Sequence, residues 1–179
     1  MREILKEISE KALLLGDFKF TDEQVKTKWF GFAPAKHSEI KKTEERLGIE
    51  LPEDYKQFME ITNGFSASQI IFASFMPVEK IDYLKVFEPN LIKGYRGLLQ
   101  DYPEMKDTAD GLEASILVGG LDEEQQTLLI PPHANSGKWG YWFFANWYPG
   151  EERYNSLKEY LLHDLSFLKR HLKETGIKE

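Results

Sequence analysis

The chain contains no cysteine. Disulfides, thiolate zinc sites and thiol nucleophiles are therefore excluded. Only four histidines are present, His37, His133, His163 and His171. The two nearest in sequence are eight positions apart, too far for the one-turn pairing of a helical metal site. They read as solvated surface residues. No run approaches the about 20 apolar residues that span a bilayer, and the charges scattered through residues 1–16 do not make a secretory signal. There is no Gly-Lys-Ser/Thr phosphate loop, no Gly-x-Gly-x-x-Gly and no Gly-x-Ser-x-Gly elbow. Asp101, Asp107 and Asp110 are not at calcium-loop spacing. Positive charge is the scarcer sign: 23 Lys and Arg face 30 Asp and Glu, a formal net charge of −7. That disfavours nucleic acid and anionic membranes and suits a basic partner. No cofactor or metal is implied, and a cytoplasmic location is the simplest expectation.

What is present is a folded chain of 179 residues with 41% hydrophobic and 13% aromatic content, long enough to bury a full core. Residues 1–15 carry Ile4, Leu5, Ile8, Ala12 and Leu15 on one helical side, and Gly16-Asp17 break the pattern. Thr21 is placed to cap a second helix bearing Val25 and Trp29. The stretch 29–34 is an aromatic connector that fastens this part to the core.

Residues 40–64 carry the clearest punctuation. Ser38 can cap a helix with Ile40 and Leu47 on one face, and Gly48 can take the left-handed conformation that ends it. Pro52 suits the next first turn, where Glu53 and Asp54 meet the positive end of the dipole. Leu51, Tyr55, Phe58, Met59 and Thr62 form a stripe, and Asn63-Gly64 terminates it.

Beyond Gly64 the pattern predicts a strand over residues 69–75, a short helix opened by Pro77 with Val78, Ile81 and Leu84, and another capped by Asn90. A polar surface loop is expected over 103–111. Strands are expected over 115–118 and 127–130, joined as a hairpin around residues 119–122, and over 140–144. Ser156 and Glu159 predict a capping box for a closing helix with Leu157, Tyr160, Leu161, Leu165, Leu168 and Leu172 in line. Helices, then strands, then a helix argue for an α+β fold with a mostly antiparallel sheet. No linker or repeat divides the chain, so one domain is expected over 1–179, with a helical extension at 1–36 and a core at 37–175.

The set Ile40, Glu44, Leu47-Gly48, Leu51-Pro52, Asp54-Tyr55, Phe58 and Asn63-Gly64 resembles the signature of the SUKH superfamily. That group includes bacterial toxin-neutralising immunity proteins and a fungal cell-wall-synthesis regulator. The likeness continues at residues 76–81 and 147–161, covers most of 38–165, and leaves 1–36 outside. It implies an α+β scaffold and a noncatalytic immunity protein that binds a cognate toxin, or else a regulatory interaction module.

The residues themselves offer one unusual surface. Residues 138–150 (KWGYWFFANWYPG) place aromatics on both faces of a strand, followed by a turn with two more. Trp147 and Tyr148 are candidate anchors for a partner, since Trp and Tyr concentrate binding energy at interfaces. Asp122, Glu123, Glu124, Glu151 and Glu152 are candidate steering charges. A competing expectation is a sugar or base stacked on Trp139, Trp142 and Trp147, or a carboxylate-based hydrolase.

Overall fold

The computed structural model describes residues 1–145, 147 and 150–177. Its helices are α1 (Arg2–Leu15), α2 (Asp22–Thr27), α3 (His37–Leu47), α4 (Glu53–Ile61), α5 (Leu84–Phe87), α6 (Pro89–Leu98), α7 (Lys106–Ala114) and α8 (Leu157–Glu174). The strands are β1 (Asp82–Tyr83), β2 (Ile116–Gly119), β3 (Gln125–Ile130), β4 (Gly140–Ala145) and β5 (Glu151–Tyr154). They form one antiparallel sheet in the order β1-β2-β3-β4-β5, each strand beside its neighbour in sequence. The expected α+β fold is what the chain adopts.

Both faces of the sheet are covered by helices. Tyr141 and Phe143 of β4 point to the side of α4 and α8, where Thr127 and Tyr160 share a hydrogen bond of 2.8 Å. Trp142 and Phe144 point the other way, against α6 and α7: Tyr95 meets Phe144 edge-on at 5.9 Å. The doubly aromatic strand is thus buried on both faces. α8 lies along the first of these faces with Leu157, Leu161, Leu165, Leu168 and Leu172 buried, each contributing about 1.5–3 kcal/mol. α1 runs along α8, and Leu5, Ile8 and Ala12 join the same core.

The side chains of residues 40–64 act as fasteners. Gly48 ends α3 at φ +70°, and Glu44 Oε1 accepts the Leu51 N–H at 2.9 Å, fixing the link to α4. Asn63 Oδ1 accepts the Val78 N–H at 2.7 Å, which ties the end of α4 to the 3-10 turn Val78–Lys80. Asp54 reaches further. Its Oδ1 accepts the Tyr141 hydroxyl at 2.7 Å and its Oδ2 accepts the Leu157 N–H at 2.8 Å, joining α4, β4 and the first turn of α8.

Several expectations are corrected. Residues 69–75 are a tight turn with isolated bridges: Gln69 pairs with Phe72, and Phe75 pairs with Phe65 and Gly119. The side chains of Ser68 and Gln69 bond to α8, which bends the chain out of a ladder. Residues 103–111 are helical, comprising the 3-10 turn Pro103–Met105 and most of α7. Ala109 and Leu112 are the apolar points that polar neighbours obscured. α3 starts before Ser38: Glu39 Oε2 receives the Lys36 N–H at 2.8 Å, so Glu39 makes the cap contact expected of the serine. α6 opens on Pro89, before Asn90. At α8 the Ser156 hydroxyl oxygen accepts the Glu159 N–H, while the Glu159 carboxylate takes the Asn155 N–H.

Two glycines in helices predict opposite outcomes. A Cβ at Gly111 would lie 2.1 Å from the Trp142 ring, whereas one at Gly94 meets nothing within 4 Å. Alanine at either site gains about 1 kcal/mol of helix propensity, but overpacking costs about 1–3 kcal/mol. Gly111→Ala should therefore lower the urea midpoint and perturb tryptophan fluorescence, and Gly94→Ala should raise the midpoint.

Candidate functional site

The sheet meander decides which turns meet. Gln125, the first residue of β3, pairs with Ala145, the last of β4. The β2–β3 turn and the β4–β5 turn therefore leave the same end of the sheet. The 68–72 turn joins them there, since Gln125 Nε2 donates to the Ile70 carbonyl at 2.8 Å. Sequence distance hid this third segment. The backbone bond pushes the Ile70 side chain outward, where it is 65% exposed, and Trp147 is 48% exposed. Beside Trp147 lies a hollow of about 460 Å³, walled by Ile71, Phe72, Phe143, Trp147 and Phe167, with Glu152, His163 and Arg170 supplying polar groups. Trp147 stands edge-on to Phe143 at 6.2 Å, and Phe72 contacts Phe143 at 5.9 Å.

The acids around this end are not equivalent. Asp122 and Glu124 are exposed and make no hydrogen bond or ion pair among the described residues. Glu123 bonds to Ser74 through both oxygens, one to the hydroxyl and one to the N–H, which pins the turn. Glu151, an expected steering charge, is drawn inward instead. Its side chain is 6% exposed, ion-paired with Arg153 and accepting the Thr108 hydroxyl at 3.1 Å. The cause is register: Glu151 lies opposite Phe144 on the face covered by α6 and α7, while Glu152 lies opposite Phe143 on the α8 face, where the hollow opens. Tyr148 lies outside the described residues.

Glu152 Oε2 accepts the Tyr154 hydroxyl at 2.5 Å, and that hydroxyl lies 2.7 Å from His163 Nδ1. With the hydroxyl hydrogen given to Glu152, Nδ1 carries a hydrogen and donates to the tyrosine oxygen. His163 is therefore engaged in a chain of donors, contrary to its reading as a solvated residue. The three tryptophans of a stacking platform are not together. Trp142 is buried beneath the Arg153 guanidinium, 4.6 Å from its ring, and Trp139 precedes β4 at the opposite end from Trp147. Among the described residues no cluster of His, Asp or Glu is placed to hold a metal ion.

Behind the 68–72 turn lies a group that residue typing overlooked. Asp164 is 5% exposed, on the buried face of α8. Its carboxylate accepts the Ser68 hydroxyl at 2.8 Å and Gln69 Nε2 at 2.5 Å. Burial pushes its pKa up to about 7, against the lowering effect of these two donors. The signal was available, because position 164 falls three residues after Leu161 and one before Leu165, inside the apolar stripe.

A family comparison matches residues 34–163 to the SMI1 / KNR4 family (SUKH-1). The chain belongs to this family. The match leaves α1 and α2 outside it and takes in the sheet, the 68–72 turn and the start of α8. Comparison with curated proteins gives no match. SUKH proteins are in general noncatalytic domains that act through protein–protein interaction. In this SUKH-1 chain no described helix is long and apolar enough to cross a membrane.

Asp164 makes stability depend on pH in a defined direction. Its folded pKa of about 7 lies above the unfolded value of about 4. Between these values the folded state holds a proton that the unfolded state has released, so stability falls as pH rises. The contribution is fully present below about pH 4 and is lost as pH climbs through about 7. Asp164→Asn keeps an acceptor for Ser68 and Gln69 and cannot ionise. Its urea midpoint should be flatter than that of the wild type between these pH values.

Proposed function

We propose that this protein is an immunity protein that neutralises a toxin by direct binding, acting in the cytoplasm, through the surface at the end of its sheet. The supporting observation is that one end of the sheet gathers exposed Ile70, exposed Trp147 with its aromatic hollow, and the carboxylates of Asp122 and Glu124, unpaired among the described residues. Family membership makes a protein partner the expected kind. The net charge of −7 favours a basic one.

The mechanism needs no bond to be made or broken. Asp122, Glu124 and the partly exposed Glu152 raise the rate of encounter with a basic surface, and this effect weakens with salt. Ile70 and Trp147 then leave water and set the dissociation rate. The carboxylate of Glu151 takes no part in steering, because Arg153 already neutralises it.

The test uses the product of a toxin gene beside the one encoding this chain. Purified toxin domain should bind the wild type. Ile70→Ala and Trp147→Ala should each weaken binding about tenfold or more through faster dissociation. Asp122→Lys with Glu124→Lys should slow association and flatten its salt dependence. Unchanged rates in all three variants would overturn this surface. An isolated gene, with binding only to an endogenous protein, would favour the regulatory alternative.

A further inference from the structure

We propose that the hollow beside Trp147 receives a single arginine side chain of the protein partner. The inference rests on the sheet end being the recognition surface and goes further by naming the group that enters it.

The chemistry of the wall selects the occupant. Glu152 uses one oxygen, Oε2, to accept from Tyr154, while Oε1 makes no hydrogen bond among the described residues. The β4–β5 register sets this carboxylate beside Phe143, against which Trp147 stands edge-on. Arg170, on the same wall, makes no ion pair with Glu152 among the described residues, and His163 Nδ1 lies 3.7 Å from the already engaged Oε2, which leaves Oε1 open. The Arg170 guanidinium instead lies 4.7 Å over the Phe167 ring. A half-used carboxylate among aromatic rings is complementary to a cation, which gains both a charge-assisted hydrogen bond and the attraction of the ring faces. An apolar side chain would strip water from Glu152 and return nothing to it. An anion would meet Glu152 itself, with Asp122 and Glu124 on the neighbouring turn. Guanidinium suits the space better than ammonium because it is planar, weakly hydrated and stacks on rings. Arg170 on Phe167 already displays that contact inside the same hollow.

A small-molecule titration tests this without the toxin. Nα-acetyl-arginine amide is added to the full chain and followed by NMR, with the neutral isostere Nα-acetyl-citrulline amide in parallel. The arginine amide should give saturable shifts at the Trp147 indole N–H and the Phe72 and Phe167 rings, with an affinity about tenfold above that of citrulline. Glu152→Gln, which keeps an acceptor for Tyr154, should abolish the preference. Trp147→Ala should weaken arginine binding several-fold, and Arg170→Gln should strengthen it. Equal binding of the two amides, silence at these rings, or a preference that survives Glu152→Gln would each overturn the proposal. Such a failure leaves toxin binding by Ile70 and Trp147 standing, and failure to bind toxin leaves the arginine titration interpretable.

Discussion

The Asp54 carboxylate is the junction on which the remaining geometry depends. It belongs to the first turn of α4, yet it binds the hydroxyl of a residue in β4 and the backbone at the head of α8. Two charge-assisted bonds therefore fix the angle between a helix, a strand and a second helix. The first turn of a helix leaves backbone N–H groups without partners, and Asp54 meets that need at α8 from a distant part of the chain. Once α8 is set, Asp164, His163, Phe167 and Arg170 are delivered together to one side of the sheet. Glu44 and Asn63 play shorter-range versions of the same part, holding the α3–α4 link and the 3-10 turn that leads into β1.

Around this frame the sheet behaves as a sorting device. A meander returns alternate turns to the same end, so two hairpins separated by a strand pair present their tips side by side. Strand alternation then divides neighbouring residues of like type: Glu151 is neutralised beneath the helices, and Glu152 looks into the hollow. Adjacent identical charges in a sequence thus acquire unrelated physical roles.

The punctuation of residues 37–64 was legible because its rules are local: a left-handed glycine, a proline at a helix entrance and a terminating Asn-Gly act within a few residues. The closing helix was legible for the same reason. The strand ends and α7 were not. Residues 69–75 have the composition of a strand, but their conformation is decided by Asp164, almost a hundred positions away. α7 hides its few apolar points among charges, and its Gly111 makes sense only beside Trp142. For the candidate site, Trp147 and the acids of both turns were named from composition. The contribution of Ile70, Phe72 and Phe167 required the register of β3 against β4 and the 68–72 turn. Asp164 could have been noticed as an acid standing in a row of leucines.

The loops that gather at the sheet end have a bearing on how such a molecule diversifies. Ile70, Asp122 and Glu124 contribute little to the interior, while Asp54, Asn63 and Glu44 lie elsewhere and keep their bonds whatever those positions become. Replacement of outward-facing side chains alters the shape and charge of this end at small cost to the fold, except at Asp122, whose φ of +62° restricts it to residues that tolerate the left-handed region. The frame beneath can therefore stay constant while the surface it displays varies one residue at a time.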